Sequence, residues 1–314
     1  MKAKTSALQA SLMGRWPALA SPTIRGYLYA VLGTASLAVT YVVSKVVMRE
    51  INSESFNAIW FGSGALITLA VLATQGRASE MRVERRNWGH VALLGLVNGV
   101  SMGLFFKAVE LIDPVLVSFY FRLEIVASVL AAVFLLGERL GARELGGMIL
   151  AVAGAVIITY ASGSVVTTAF VMVAVSAVLY SLSWLVARAT MQRGCPPTAL
   201  AGLRSAGTAI ILALYVAASD RWLAPSLPTL ALIVGGSFFG PFLANSLNYR
   251  AIPLIGVARL SIIRNIQPLF VLPAAYLVLG SIPGWRQLAG GLVVVAGVIL
   301  VVSARTKSPA SPAG

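Results

Sequence analysis

Long apolar segments, separated by short polar ones, make up the chain between residues 26 and 303. Ten of these segments have about 20 residues, the length that an α-helix needs to cross a hydrocarbon core about 30 Å thick. Their apolar residues run continuously, whereas a membrane-spanning strand would alternate apolar and polar residues. The pattern therefore predicts ten spans, at residues 26–48, 56–75, 89–109, 114–136, 145–161, 166–187, 197–218, 228–249, 254–279 and 286–303.

The composition excludes most other classes of protein. Hydrophobic residues make up 58% of the 314 residues and charged residues 11%, against about 25% charged in a soluble domain. A disordered chain has the opposite composition. Cys195 is the only cysteine and His90 the only histidine, which excludes an internal disulfide, most zinc sites and a Ser/His/Asp triad. We therefore expect an all-α integral membrane protein that is not an enzyme and has no metal or cofactor.

The charge pattern predicts the orientation in the membrane. The formal net charge is +14, from 24 Lys and Arg against 10 Asp and Glu. With ten spans and a cytoplasmic N-terminus, 15 basic residues fall on the cytoplasmic side, 5 on the other side and 4 within spans. This bias follows the positive-inside rule, so the basic tails at 1–24 and 304–314 are both predicted to be cytoplasmic. The charge then reflects topology, and no nucleic-acid partner is expected.

The excess of arginine over lysine, 19 residues against 5, favours a bacterial cytoplasmic membrane as the location. A GC-rich genome encodes arginine, alanine and valine frequently, and all three are abundant in this chain. The lipid bilayer is thus the first expected partner. A monomer is compatible with the sequence, which contains no signal for a particular oligomeric state.

The second half of the chain resembles the first at an offset of 143 residues. Because each unit holds five spans, an odd number, the second unit enters the membrane with the opposite orientation. Inverted repeats are typical of secondary transporters, whose substrate site lies near the bilayer midplane between the halves. We expect the repeats over 25–161 and 166–303. The offset pairs Gly137 with Gly280, Gly147 with Gly290, Gly154 with Gly297, Lys107 with Arg250 and Glu124 with Gln267.

A motif at the end of the fourth span and in the fifth occurs twice. The first copy is Leu135-Leu136-Gly137-Glu138-Arg139-Leu140, followed by Gly147 and Gly154; the second is Leu277-Val278-Leu279-Gly280, followed by Gln287, Gly290 and Gly297. Residues 26–303 thereby resemble the drug/metabolite transporter superfamily, in particular its ten-helix EamA branch. Three departures from the family pattern are Ser281-Ile282 in place of Glu-Arg, Ile125 in place of the proline that Pro268 supplies, and Trp60-Phe61 in place of the arginine that Arg204 supplies.

The resemblance implies a secondary transporter of small metabolites that works by alternating access. Amino acids or related zwitterions are the expected substrates, and export is the expected direction. The alternative is a flippase of the same architecture, for a lipid or a lipid-linked sugar. A flippase would have a lateral opening between helices and a more apolar cavity than the arginines within the spans suggest.

Charged groups within the spans are the main candidates for the substrate site, because a charge at the bilayer centre is costly and usually faces a cavity or a partner. Glu124 in the fourth span and Arg264 in the ninth are expected to approach each other across the centre. The hypothesis is that Arg264 binds a substrate carboxylate and Glu124 binds an amine. Two alternatives are a structural ion pair and proton coupling through Glu124, which would make protons a partner. Arg122, Asn265 and Gln267 lie at the same depth and are further candidates for substrate binding.

Weaker candidates lie on other spans. Asn98 and Asn245 are predicted to line the cavity, with hydrogen bonding between helices as the alternative. Tyr180 and Trp184 are predicted to form a wall of the cavity, with plain packing as the alternative. Pro268, Pro273 and Pro241 are predicted to bend their helices. The glycine series Gly95-Gly99-Gly103 and the series Gly236-Gly240-Ala244 are attributed to close packing of helices within the chain, ahead of a dimerisation face.

Overall fold

The computed structural model describes residues 21–136, 140–160 and 164–307, and within these residues every regular element is a helix. Ten of its helical segments are long and apolar enough to cross a membrane. Residues 1–20 and 308–314 of the predicted tails, and Gly137-Glu138-Arg139 of the repeated motif, lie outside the described residues. The spans are α1 (Pro22–Val47), α2 (Ser53–Thr74), α3 (Trp88–Leu111), α4 (Pro114–Tyr120 and Leu123–Leu136), α5 (Ala142–Tyr160), α6 (Ser164–Gln192), α7 (Pro197–Ser219), α8 (Leu227–Gly256), α9 (Arg259–Leu279) and α10 (Trp285–Lys307).

The predicted spans match these helices in number and order, and the largest differences are at their ends. Helix α1 begins at Pro22 and α10 continues to Lys307, so both enter segments that the sequence predicted as tails. Helix α6 reaches Gln192, five residues beyond its predicted end. The reason is that the hydrophobic pattern marks where apolar residues stop, whereas the backbone hydrogen bonding of a helix continues into the polar headgroup region. Pro22 fits the start of α1 because the first turn needs no donor from its nitrogen.

Two spans are broken near the middle of the membrane. Helix α4 is interrupted by a turn at Phe121 and Arg122, and α9 by a turn at Asn265 and Ile266. The two breaks lie within one residue of the 143-residue offset. A proline follows the break in α9, where Pro268 is in the first turn of the second half. The break in α4 forms although Ile125 stands at the equivalent position.

Helix α8 contains a π-helical segment, Phe238–Ala244, with Pro241 at its centre. Such a segment loosens the helix locally and relieves the clash between a proline ring and the preceding turn. The ring of Pro241 packs on Gly64 of α2, where an added Cβ would lie 2.6 Å from the ring. The predicted bend at Pro241 is therefore a widened turn. Pro273 lies inside the second half of α9.

The connection between α8 and α9 turns at Gly256, which has non-helical backbone angles. Gly256 has φ 78° and ψ 161°, a backbone conformation open essentially to glycine alone. An added Cβ would meet no atom within 4 Å. The requirement for glycine is thus one of backbone conformation, and it lets two spans of opposite direction follow each other without a loop.

Helices α5 and α10 pack together along their length through glycines. A Cβ on Gly147 would lie 2.7 Å from the carbonyl oxygen of Gly297, and a Cβ on Gly154 would lie 2.6 Å from that of Gly290. Under the 143-residue offset, Gly147 corresponds to Gly290 and Gly154 to Gly297. Each contact is therefore the image of the other, which is the mark of a two-fold relation between the repeats.

A second pair of contacts obeys the same relation. Ser101 of α3 and Ser176 of α6 each donate a side-chain hydrogen bond to the other's carbonyl oxygen, at 2.8 and 2.7 Å. The equivalent residues are Ala244 of α8 and Gly33 of α1, and a Cβ on Gly33 would lie 3.2 Å from the carbonyl oxygen of Ala244. The pair α3–α6 thus corresponds to α8–α1. Each contact joins one repeat to the other, so the repeats are interlocked.

The two glycine series pack against neighbours in the same chain, as attributed above. A Cβ on Gly95 would lie 2.7 Å from the Cα of Gly207 in α7. A Cβ on Gly236 or Gly240 would meet the indole of Trp60 in α2, at 2.7 and 2.6 Å. These glycines let the helices approach closely, and their surfaces contact other helices of the same chain.

The ends of the spans form two faces, which we call face A (residues 48–52, 112–113, 220–226 and 280–284) and face B (residues 75–87, 193–196 and 256–258). On face A, the Glu54 carboxylate contacts Arg221 at 3.2 Å and Lys107 at 3.7 Å. The loop after α7 is held further by a hydrogen bond from the Leu223 N–H to Ser55 Oγ, at 2.9 Å. The contacts of Glu54 with Arg221 and of Ser55 with Leu223 therefore join the two repeats at face A.

The packing of α5 on α10 predicts that valine substitutions at two glycines of this helix pair will change the free energy of unfolding by very different amounts. Gly297→Val should lower the free energy of unfolding by about 1–3 kcal/mol, the range for overpacked sites, because its Cβ would meet the Gly147 carbonyl at 2.6 Å. Gly146→Val is the control, because a Cβ there meets nothing within 4 Å. Thermal unfolding of the detergent-solubilised protein measures both. Equal melting temperatures for the two variants would contradict the helix pairing.

Candidate functional site

The two breaks, in α4 and α9, bring buried polar residues together between the repeats. Glu124 follows the break in α4, and Arg264 precedes the break in α9. Their side chains form a bidentate ion pair, with Nη1–Oε1 and Nη2–Oε2 distances of 3.1 Å. Both residues are buried, at 7% and 6% exposure. The approach expected from the 143-residue offset therefore occurs, and it uses both oxygens of the carboxylate.

Aromatic rings surround the Arg264 guanidinium on its other side. Its central carbon lies 4.8 Å from the ring centroid of Trp184 and 5.7 Å from that of Tyr180. The negative face of an aromatic ring attracts a cation, and the attraction grows when both are removed from water. These two rings, the predicted aromatic wall, thus help to hold the cation of the pair. The indole N–H of Trp184 has no hydrogen-bond partner among the described residues.

Arg122 connects one helix break to the other. Its guanidinium donates to the carbonyl oxygens of Ser118 and Arg264 and to the side-chain oxygen of Gln267. In an unbroken helix the Arg264 carbonyl would accept from residue 268, but Pro268 has no N–H. Arg122 supplies the missing donor. Because a bare carbonyl in the membrane interior is costly, this contact has a structural role, and Arg122 lies outside the cavity lining.

A cavity of about 50 Å³ lies beside the ion pair, between the two repeats. Of the predicted site residues, Arg264, Gln267, Asn245 and Tyr180 line it. Most of the remaining lining is aromatic or apolar, and no predicted site residue belongs to that part. It consists of Leu37, Thr40, Tyr41, Trp60, Phe61, Met102, Phe105, Phe106, Phe121, Arg204, Gly240 and Pro241.

Five of the predicted site residues lie outside the lining. Glu124 and Arg122 are occupied by the contacts described above. Asn98 donates to Thr208 Oγ1 at 2.7 Å, and Asn265 donates to the Val295 carbonyl at 3.1 Å. Asn98 thus has the alternative role of hydrogen bonding between helices, and Asn265 also binds a neighbouring helix, for which no alternative role was predicted. Trp184 packs on Arg264 and on the ring of Tyr249.

Arg204 of α7 is the charged residue among the lining residues that were not predicted as site candidates. It is 3% exposed, and its guanidinium donates to the hydroxyls of Tyr249 at 2.9 Å and Tyr180 at 3.3 Å. Its position within a span was the available signal. The sequence assigned it only to the family pattern, because the residues that surround it come from α6 and α8, far away along the chain.

Cys195 lies on face B, outside the spans, beside a separate cavity of about 180 Å³. Burial raises the pKa of its thiol to about 11. The thiol therefore stays protonated at neutral pH, which makes it a poor nucleophile.

The EamA-like transporter family model matches the chain twice, at residues 24–160 and 167–303. A protein of Sinorhizobium sp. described as "Uncharacterized transporter in cobO 3'region" is 30% identical over 131 residues, which are 41% of this chain and 93% of that protein. A solved crystal structure with 19% identity superposes with a TM-score of 0.64 and covers 91% of this chain and 99% of that one. This last similarity concerns the fold alone.

The buried pair predicts strongly non-additive effects on stability. Arg264→Gln should cost about 3–5 kcal/mol, because it leaves the Glu124 carboxylate buried without its partner. The double variant Glu124→Gln/Arg264→Gln should cost less than the two single variants combined, because no uncompensated charge remains. Thermal unfolding in detergent measures all three. Additive losses would contradict a direct ion pair.

Proposed function

This chain belongs to the EamA-like transporter family, and we propose that it exports small metabolites, of the class that includes amino acids and related zwitterions, by alternating access. The observation that carries the proposal is the pair of broken helices, which bring Glu124 and Arg264 together beside a cavity between the repeats. In secondary transporters, discontinuous helices at the midplane are where substrates bind.

The two-fold relation between the repeats supports alternating access. An inverted pair of halves has two equivalent shapes, because each half can adopt the conformation of the other. Here the ion pairs of Glu54 with Lys107 and Arg221 hold the helix ends together at face A. The central cavity of about 50 Å³ is much smaller than the roughly 300–1,000 Å³ of ordinary ligand pockets. This conformation therefore corresponds to a closed state, which must widen to admit a substrate.

Glu124 and Arg264 are proposed to take part in the transport cycle. In the closed state each satisfies the other, so a substrate carboxylate or amine would compete for the partner's contacts. Separation of the pair would then couple substrate binding to the opening of the cavity. Glu124 is also the proposed proton-coupling residue, because its carboxylate is buried within a span and is paired with Arg264, which lines the cavity.

A flippase for a lipid or lipid-linked sugar is the second candidate. The observation in its favour is the wall of Phe61, Met102, Phe105, Phe106 and Phe121, which would suit an apolar chain. The buried charges on the opposite wall favour a polar solute. A lipid arm in the transport assay separates the two functions.

Both termini are proposed to lie in the cytoplasm, with face B on the same side. Face B carries Arg77, Arg82, Arg85, Arg86 and Arg193, and a cytoplasmic location for them follows the positive-inside rule. The location of the protein in a bacterial cytoplasmic membrane is part of the same proposal.

Thiol labelling of intact cells tests the orientation. In a Cys195→Ser background, Ile282→Cys on face A should react with a membrane-impermeant maleimide, because residue 282 is 65% exposed. Arg82→Cys on face B should react only after the membrane is permeabilised. The reverse pattern would place face B outside the cell.

Efflux from proteoliposomes tests the transport function. Vesicles containing the purified protein would be loaded with labelled amino acids, a nucleoside, a sugar, a cationic drug or a short-chain lipid, with and without a pH gradient. We expect efflux of small amphipathic solutes and a loss of at least tenfold in Glu124→Gln, because the variant cannot form the charged pair. Stimulation by the gradient would support proton coupling.

Glu84→Gln is the matched control, because Glu84 is exposed on face B. It should transport like the wild type. Wild-type transport by folded Glu124→Gln would reduce the Glu124–Arg264 pair to a structural one. Movement of the lipid alone would establish the flippase.

A further inference from the structure

Arg204 is a buried cation without a buried anion to balance it. Among the described residues it has no ion pair, and the oxygens that accept from it belong to two neutral phenols, Tyr180 and Tyr249. Its guanidinium also lies 5.0 Å from the centroid of the Tyr180 ring. Neutral partners hold a guanidinium in place but leave its charge uncompensated. Arg204 lines the central cavity.

The other buried charges at this depth are already occupied. Arg264 and Glu124 neutralise each other. The guanidinium of Arg122 donates hydrogen bonds to two carbonyl oxygens and to Gln267. At this depth, the described residues thus include three buried arginines and one buried carboxylate, that of Glu124. Since Glu124 lies outside the cavity lining, a solute in the cavity meets the positive charge of Arg204 and no free carboxylate. The site therefore favours a negative group and offers no counter-charge for an amine.

Comparison of equivalent positions shows that the cavity has two unlike sides. Under the 143-residue offset Phe61 corresponds to Arg204, Phe121 to Arg264 and Met102 to Asn245. All six residues line the cavity. At each of these three positions repeat one contributes an apolar side chain and repeat two contributes a charged or amide side chain. The two repeats therefore contribute groups of different polarity to the same cavity.

We propose that the solute is a small organic monocarboxylate with an apolar body and no amine, and that its carboxylate binds Arg204. The planar guanidinium matches a carboxylate in shape and in the spacing of its donors. One uncompensated cation favours a single negative charge over two. The apolar body would lie against Phe61, Met102 and Phe121. The inference rests on the proposed transport function, but it differs from it on the substrate: it replaces the zwitterions named there with deaminated relatives of amino acids.

Binding to the purified protein tests this without requiring transport. Ligand-induced shifts of the melting temperature in detergent would be measured with four probes: 3-phenylpropanoate, phenylalanine, phenethylamine and propanoate. A ligand that binds only the folded state stabilises it in proportion to its occupancy. We expect 3-phenylpropanoate to bind at least tenfold more tightly than each of the others. The comparison holds the ring constant while the charge changes, and then removes the ring.

Variants assign the binding to Arg204. Arg204→Gln should weaken the binding of 3-phenylpropanoate by about tenfold or more, the scale of a lost charge-assisted hydrogen bond. Arg204→Lys should retain part of the affinity, because it keeps the charge but loses the planar fork. Arg259→Gln is the matched control, because Arg259 is an exposed arginine at the start of α9 and does not line the cavity. It should bind like the wild type.

Several results would overturn the proposal. One is phenylalanine or phenethylamine binding as tightly as 3-phenylpropanoate, and another is unchanged affinity in Arg204→Gln. If Arg204→Gln does not fold, full affinity in Arg204→Lys would count equally against a planar contact with Arg204. Transport of a zwitterion that does not depend on Arg204 would leave the transport function intact and refute this assignment. Binding of 3-phenylpropanoate without efflux of any solute would leave this assignment intact and refute the transport function.

Discussion

The hydrogen-bonding demand of two broken helices determines how the centre of this protein is built. A helix break at the middle of a membrane exposes carbonyl groups where no water is available to bind them. Arg122 meets that demand in both halves, through the carbonyl of Ser118 in its own repeat and that of Arg264 in the other. The same contact fixes the two breaks next to each other. The ion pair and the cavity lie where they do because this junction is in place.

The three buried arginines at the centre have different binding partners. Among the described residues, Arg122 binds two backbone carbonyls and Gln267, Arg264 binds Glu124 and two aromatic rings, and Arg204 binds two phenols. A buried ion pair adds little net stability, but breaking one is expensive. A pair with this property, set beside a cavity, suits a transporter, since a competing solute can shift the balance between two conformations. The unequal sides of the cavity then orient the solute.

The two-fold relation explains how such a junction remains rigid enough to be useful. Helices α5 and α10 approach closely at two glycine contacts that are images of each other. The α3–α6 and α8–α1 contacts repeat this relation elsewhere. Without a hydrophobic driving force between helices in lipid, close packing of small residues provides the attraction. Each repeat is therefore held by the other, while sequence differences between equivalent residues create the charge asymmetry.

Apolar length and a constant offset are properties of the chain alone, and they predict the number of spans, the inverted repeat and the approach of Glu124 to Arg264. Pro268 likewise marks one of the two breaks. The remaining features depend on contacts between helices. The break in α4 has no proline, Asn98 and Asn265 bind neighbouring helices, and Arg204 faces the cavity beside α6 and α8. These roles depend on which side of each helix meets which partner across the membrane, and residue type and spacing leave that choice open.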